Sequence, residues 1–259
     1  MISRRANSAA PAYPADMLAP DGLRTGEDAP KPHPGRRLRL LRAAALAAGV
    51  AIPVTALAAV VRSESSPLVT LDVSLVRAAT DAVRGNDELR RALLVWQEAF
   101  VPRWVNLAVA LVCLWAWRRR GLRTRALWAF VTLLVTWNLQ LDIKLLVQRA
   151  RPVIDDALTR APGYSFPSGH ATNTTSAGLI LVILVWPLLG TRGRRVLVAL
   201  VTAAVLLTGL DRVLLGAHYP SDVVAGFVIG AAMVGASYVG FLGAHPPVPA
   251  ASVDHREAS

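Results

Sequence analysis

The chain has 259 residues, of which 54% are hydrophobic, and its mean hydropathy is +0.43. A soluble domain is usually about 45–50% apolar, and the excess here is concentrated in long runs, which favours an integral membrane protein over a soluble one. The net charge of +11 comes almost entirely from arginine, since Lys31 and Lys144 are the only lysines. These arginines stand at the ends of apolar runs, so membrane topology explains them better than nucleic-acid binding does.

The first apolar run follows a polar segment. Residues 1–35 show no apolar period and are predicted to form a disordered tail. Arginine-rich residues 36–42 then precede an apolar run over 43–61, which is long enough to cross a bilayer and is interpreted as an uncleaved span. A cleaved signal sequence is the alternative, because residues 56–58 resemble a cleavage site and residues 36–37 resemble a twin-arginine signal.

The rest of the chain alternates apolar runs with polar loops. Residues 63–98 carry Leu and Val at helical spacing and are predicted to form an amphipathic segment at the membrane surface. Five further spans are predicted over 100–117, 126–147, 171–190, 196–210 and 223–242. Residues 244–259 are interpreted as a mobile tail. The sequence therefore predicts an all-α, polytopic membrane protein with a six-helix bundle over residues 36–243.

Arginine clusters predict the orientation of this bundle. They precede the first span, separate the second from the third, and separate the fourth from the fifth. With six spans these places lie on one side, which the positive-inside rule makes cytoplasmic. We therefore expect a multi-pass plasma-membrane protein with cytoplasmic termini. Its active site is expected at the outer membrane interface, on the extracytoplasmic side.

Lys144 and Arg151 form the first of three polar clusters on the predicted outer side. They are seven residues apart, or two helical turns, so both are expected to point at one place on the third span. Pro152 is then expected to end that helix. The alternative interpretation is a lysine that snorkels to the interface beside an arginine that flanks the span.

The second cluster, Pro167-Ser168-Gly169-His170, runs directly into the fourth predicted span. Proline, serine and glycine favour a helix start whose N–H groups and dipole attract an anion. Gly169 allows the backbone to approach that anion, and His170 stands at its rim. A capped helix with an interfacial histidine is the alternative.

The third cluster gathers Arg212, His218 and Asp222 within eleven residues at the edge of apolar sequence. Pro220 is expected to begin the sixth span, with Asp222 in its first turn and within reach of His218. A carboxylate at one imidazole nitrogen fixes the tautomer and leaves the other nitrogen free to attack. His218 is therefore the candidate nucleophile. A helix-capping aspartate beside a structural histidine is the alternative.

Together the clusters at 144–152, 167–170 and 212–222 resemble the type 2 phosphatidic acid phosphatase family at every interval, over about residues 90–242. The resemblance implies a phosphate cradle formed by Lys144, Arg151, Ser168, Gly169 and Arg212. It implies that His218 attacks phosphorus to form a phosphohistidine and that Asp222 holds His218. His170 would protonate the leaving alkoxide and then activate water.

One position departs from the pattern of that family. The residue before Arg212 is usually serine, and here it is Asp211. A serine would help to hold phosphate, whereas an aspartate would repel it unless it forms an ion pair with a neighbouring arginine.

The sequence thus predicts a membrane phosphatase for a lipid phosphate or diphosphate, such as phosphatidic acid, phosphatidylglycerol phosphate or a polyprenyl diphosphate. No metal or other cofactor is expected, because the chain shows neither a carboxylate cluster for Mg²⁺ nor zinc-type spacing. The expected partners are the lipid phosphate and the bilayer, with no nucleic acid, and the oligomeric state stays open. A lipid phosphotransferase and a non-catalytic membrane protein or transporter of the same fold are the alternatives.

Overall fold

The structure, a computed structural model, describes residues 35–63, 67–153, 158–159 and 162–242. The regular structure of these residues is helical, which confirms the predicted all-α fold. The helices are α1 (Arg36–Arg62), α2 (Pro67–Arg84), α3 (Asp87–Ala99), α4 (Pro102–Arg119), α5 (Arg123–Val147), α6 (Gly169–Val185) with a 3-10 turn (Trp186–Leu188), α7 (Thr191–Leu214) and α8 (Pro220–Gly240). Apart from Gly35, the predicted tails 1–35 and 244–259 lie outside the described residues.

Five of the described helices are long and apolar enough to cross a membrane, namely α1, α5, α6 with its 3-10 turn, α7 and α8. The second predicted span, 100–117, corresponds to α4, which passes the same test only together with α3, as a pair bent by 47°. Pro102 lies in the first turn of α4 and lacks the N–H group that would continue α3. Residues 87–98, predicted to lie in the surface segment, therefore belong to α3, the first part of this bent pair.

The helices place the three polar clusters at one end of the bundle. α5 and α7 end there, α6 and α8 begin there, and Arg62 at the end of α1 donates to the carbonyl of Leu146 at 3.2 Å. The opposite end carries the arginines that begin α1, α5 and α7 and end α4. There Arg125 donates to the carbonyl of Ile183 at 3.0 Å. The bundle thus separates a basic end from the end that carries the motifs.

Helix α6 is the centre of the bundle. Half of the residues in its most apolar stretch are buried, whereas only 6% of those in the corresponding stretch of α1 are. On α8, a Cβ added at Gly226 would lie 2.9 Å from the carbonyl oxygen of Ser168, and one at Gly230 would lie 2.7 Å from that of Thr172. These two glycines, four residues apart, let the backbones of α8 and α6 approach closely. The start of α6 is therefore fixed against the start of α8.

Candidate active site

The first motif leaves its helix earlier than the sequence predicts. α5 ends at Val147, and Gln148 takes a left-handed conformation with φ of 52° while its N–H closes the last turn on the carbonyl of Lys144. The predictions that Pro152 ends the helix and that Lys144 and Arg151 share one helical face are therefore wrong. Both side chains still contact the same loop, residues 162–167, by donating to its main-chain carbonyls.

Lys144 ties the end of α5 to the loop before α6. Its ammonium donates to the carbonyls of Pro167 at 2.7 Å, Tyr164 at 2.9 Å and Ser165 at 3.4 Å. A lysine has three N–H donors, so these carbonyls engage all of them. A phosphoryl oxygen would have to replace one carbonyl, and the predicted role of Lys144 as a phosphate ligand stays a prediction.

Arg151 orients the candidate nucleophile. Its guanidinium donates to the carbonyls of Gly163 at 2.9 Å, Pro162 at 3.0 Å and Ala217 at 2.7 Å. Its Nη1 also lies 3.2 Å from Nε2 of His218. An arginine N–H can only donate, so Nε2 accepts and the imidazole proton resides on Nδ1. The lone pair of His218 is therefore on the nitrogen that faces the arginine.

The imidazole of His218 is neutral near pH 7. Its side chain is buried, and this burial lowers its pKa to about 4, although the negative charge of Asp222 acts in the opposite direction. The positive charges of Arg151 and Lys144 lower the pKa of His218 further. A neutral imidazole with its lone pair on Nε2 is the form that can act as a nucleophile.

The predicted contact between Asp222 and His218 passes through a serine. Oδ2 of Asp222 lies 3.7 Å from Nδ1 of His218, which is too long for a direct hydrogen bond. The hydroxyl of Ser165 donates to that Oδ2 at 2.5 Å and lies 3.4 Å from Nδ1. Because Nδ1 carries the proton, the hydroxyl can accept from it while donating to Asp222. Asp222 also accepts from the N–H of Tyr219 at 3.0 Å, so it caps α8 as well.

Two charged residues to which sequence reasoning assigned no role complete this network. Nη1 of Arg149 donates to Oδ1 of Asp222 at 2.6 Å and to the Ser221 hydroxyl at 2.8 Å, and its Nη2 donates to Asp72 at 2.8 Å. Its guanidinium also lies 4.0 Å from the centre of the Tyr219 ring. A sequence signal for Asp72 existed, because it shares helical spacing with the buried residues Val76, Thr80 and Val83 of α2.

The second motif begins α6 as predicted. Ser168 is its N-cap, and the Ser168 N–H donates to the main-chain carbonyl of Asp222 at 3.0 Å. A Cβ added at Gly169 would lie 3.1 Å from Oε1 of Gln140, so α5 leaves little room there. Nε2 of His170 is buried without a hydrogen-bond partner among the described residues. His170 lies within electrostatic reach of Arg212, His218, Arg151 and Lys144.

Asp211, which stands where the family usually has serine, forms an ion pair with Arg212. Nε of the buried Arg212 donates to Oδ2 of Asp211 at 2.8 Å, and Nη2 contacts the same oxygen. The aspartate thus engages two of the five N–H donors of the guanidinium. Within the described parts of the chain, no group of three or more His, Cys, Asp or Glu side chains is placed to hold a metal ion.

The residues of all three clusters lie within one segment, residues 125–244, which matches the model of the PAP2 superfamily. We call residues 125–244 the PAP2 segment. This confirms the resemblance that the three motifs indicated. Asp72, by contrast, is supplied to the site from outside the PAP2 segment.

Two named proteins are similar to part of the chain. Decaprenylphosphoryl-5-phosphoribose phosphatase of Mycobacterium tuberculosis is 40% identical over 92 residues, which are 34% of this chain and 46% of that protein. Lipid A 1-phosphatase of Rhizobium johnstonii is 46% identical over 67 residues, which are 26% of this chain and 24% of that protein. The chain thus matches less than half the length of either relative.

A solved structure is similar in fold to most of the chain. The transmembrane PAP2 type phosphatidylglycerolphosphate phosphatase from Bacillus subtilis superposes with a TM-score of 0.64 at 22% sequence identity. The match covers 78% of this chain and 98% of the Bacillus protein. The predicted polytopic helical fold is confirmed by this match.

Proposed function

We propose that this chain is a membrane phosphatase that hydrolyses a lipid phosphate or diphosphate through a phosphohistidine on His218. The observation that carries the proposal is the contact of Arg151 Nη1 with His218 Nε2 at 3.2 Å. It supports a lone pair on Nε2, next to a guanidinium that can bind the phosphoryl group under attack. Activity of the named relatives on lipid-linked phosphates supports the lipid substrate class.

In the first step Nε2 of His218 attacks phosphorus while the bond from phosphorus to the leaving oxygen breaks. Protonated His170 gives its proton to that oxygen, and the three cations Lys144, Arg151 and Arg212 balance the charge of the equatorial oxygens. The imidazole becomes positively charged, and Asp222 stabilises that charge through the hydroxyl of Ser165. This step releases the dephosphorylated lipid, or a lipid monophosphate from a diphosphate.

In the second step water attacks the phosphohistidine. Neutral His170 accepts a proton from the water, the N–P bond breaks, and inorganic phosphate leaves with His218 returned to its neutral form. The positive charges that act in these two steps belong to side chains, so the proposed reaction requires no metal. Since His170, His218 and Asp222 are all present, the catalytic hypothesis is preferred to a non-catalytic protein of this fold.

The proposed reaction takes place at the extracytoplasmic leaflet. The arginine clusters lie at the end of the bundle opposite the site, and the positive-inside rule assigns that basic end to the cytoplasm. The substrate would then present its phosphate at the outer interface while its apolar chains stay in the bilayer.

The test is phosphate release by the purified protein in detergent micelles from phosphatidic acid, phosphatidylglycerol phosphate and a polyprenyl diphosphate. We expect turnover of at least one lipid in EDTA and inhibition by vanadate, which mimics five-coordinate phosphorus. His218→Ala is the control for contaminating phosphatases. Loss of turnover in EDTA with recovery in Mg²⁺ would contradict metal-independent catalysis, and transfer of phosphate to an added alcohol in place of water would identify a phosphotransferase.

A further inference from the structure

We propose that Asp72 is a positioning residue for the reaction: through Arg149 it orients the carboxylate of Asp222 toward His218. This inference rests on the proposed function. It concerns a residue of α2, outside the PAP2 segment at 125–244. The catalytic geometry would therefore depend on a helix that the three motifs do not include.

The first observation is that Arg149 lies between two carboxylates. Its Nη2 donates to Oδ2 of Asp72 at 2.8 Å, while its Nη1 donates to Oδ1 of Asp222 at 2.6 Å. With Oδ1 held in this way, Oδ2 of Asp222 is the oxygen that faces Ser165 and His218. Because Asp72 holds the other end of the planar guanidinium, Arg149 fixes the position of the Asp222 oxygen that it binds.

The second observation is that Asp72 holds the residue next to Asp222 directly. Its Oδ1 accepts from the N–H of Ser221 at 3.0 Å, and its Oδ2 contacts the Ser221 hydroxyl. That hydroxyl also accepts from Arg149 at 2.8 Å. Asp72 thus fixes both the backbone that carries Asp222 and the guanidinium that binds its side chain.

The third observation is the charge of the buried group. Asp72, Arg149 and Asp222 are respectively 2%, 6% and 0% exposed, so solvent and salt screen their interactions weakly. Two carboxylates and one guanidinium leave one net negative charge, which complements the positive imidazole of a phosphohistidine. Without the charge of Asp72 this group would be neutral, and the phosphorylated form of His218 would be stabilised less.

Anchoring of α2 does not by itself require this aspartate. The same face of α2 buries Val76 and Val83, and an apolar residue can pack there without the desolvation cost of a buried charge. The burial of the Asp72 carboxylate is explained instead by its hydrogen bonds with Arg149 and Ser221, which hold these two residues in the site.

The test replaces Asp72 with asparagine, which keeps its shape and removes its charge. In the full-length protein, Asp72→Asn should lower kcat on the order of 10- to 100-fold, the range expected for one charged hydrogen bond. KM and the inhibition constant of inorganic phosphate should change by less than about threefold, because the phosphate cradle is elsewhere. The matched control is Asp81→Asn on the same helix, where an exposed ion pair with Arg84 is removed without an effect on kcat.

A double variant tests the route through Arg149. If Asp72 acts through this arginine, Asp72→Asn combined with Arg149→Gln should lower kcat no further than Arg149→Gln alone. Wild-type kcat in Asp72→Asn, or a parallel loss of kcat, phosphate binding and thermal stability, would overturn the positioning role. A wild-type protein with no turnover of any lipid phosphate would overturn the proposed function itself and this role with it.

Discussion

Asp211 forms a buried ion pair with Arg212, its neighbour in sequence, at the point where α7 reaches the site. The Nε of Arg212 donates to Asp211 at 2.8 Å, and neither side chain is more than 2% exposed. Arg212, which the third motif assigns to phosphate binding, is therefore already paired with the carboxylate of Asp211. A phosphoryl group has to compete with that carboxylate or to bind the donors that it leaves free.

This pair predicts that Asp211 weakens phosphate binding. Asp211→Ser should lower the inhibition constant of inorganic phosphate on the order of tenfold, equivalent to one charge-assisted hydrogen bond of about 1.5 kcal/mol. Competitive inhibition of lipid hydrolysis measures this constant. Asp142→Ser, a change at an exposed position of α5, is the control. An unchanged or raised constant in Asp211→Ser would contradict the competition.

Ser165 is predicted to connect the carboxylate to the nucleophile. Ser165→Ala removes the hydrogen bond to Asp222 Oδ2 and leaves Nδ1 of His218 without its nearest acceptor. We expect kcat to fall on the order of 10- to 100-fold with a small change in KM. Ser74→Ala, which removes an exposed hydroxyl on α2, should leave kcat unchanged. Wild-type kcat in Ser165→Ala would mean that Asp222 acts on His218 without the serine.

The two histidines should fail in different ways. His218→Ala should be inactive on every substrate, because it lacks the nucleophile. His170→Ala should lose roughly 10²–10⁴-fold in phosphoenzyme formation from phosphatidic acid, whose alkoxide needs a proton. With an activated aryl phosphate that loss should be small, and phosphoenzyme should accumulate because water is no longer activated. Rapid-quench measurements with equal losses on both substrates and no trapped intermediate would refute the role of His170.

His218 should stay neutral well below the ordinary range for histidine. Burial lowers its pKa to about 4, below the value of about 6.5 in an unfolded chain. Between pH 6.5 and 4 the unfolded chain therefore binds a proton that the folded protein does not, so this residue lowers the stability as the pH falls through that window. NMR of ¹³C-labelled histidine, assigned with His218→Ala, should show no titration of His218 above pH 5. A midpoint near 6.5 would contradict the burial.

The orientation can be tested without any enzyme assay. A reporter fused after Arg120 should behave as cytoplasmic, and one inserted within residues 153–162 should behave as extracytoplasmic. A matched pair of reporters, such as a phosphatase and a fluorescent protein, reads both positions. The opposite pattern would move the active site to the cytoplasmic leaflet.

The amino-acid sequence alone determined the local features of the site. Pro220 predicted the start of α8 with Asp222 in its first turn, and Ser168 and Gly169 predicted the start of α6. These features follow from capping and from the fixed φ of proline, which depend on a few neighbouring residues. The apolar runs likewise predicted the membrane helices, since a span needs only length and hydrophobicity.

The tertiary structure decided which side chains meet. Local spacing predicted a helix through Arg151, but the left-handed turn at Gln148 sends Arg149 inward to Asp72 and Asp222. Asp72 and Ser221 are 149 positions apart in sequence, and their hydrogen bond exists because α2 packs against the ends of α7 and α8. No periodicity encodes such a pair, since it arises from the packing of whole helices.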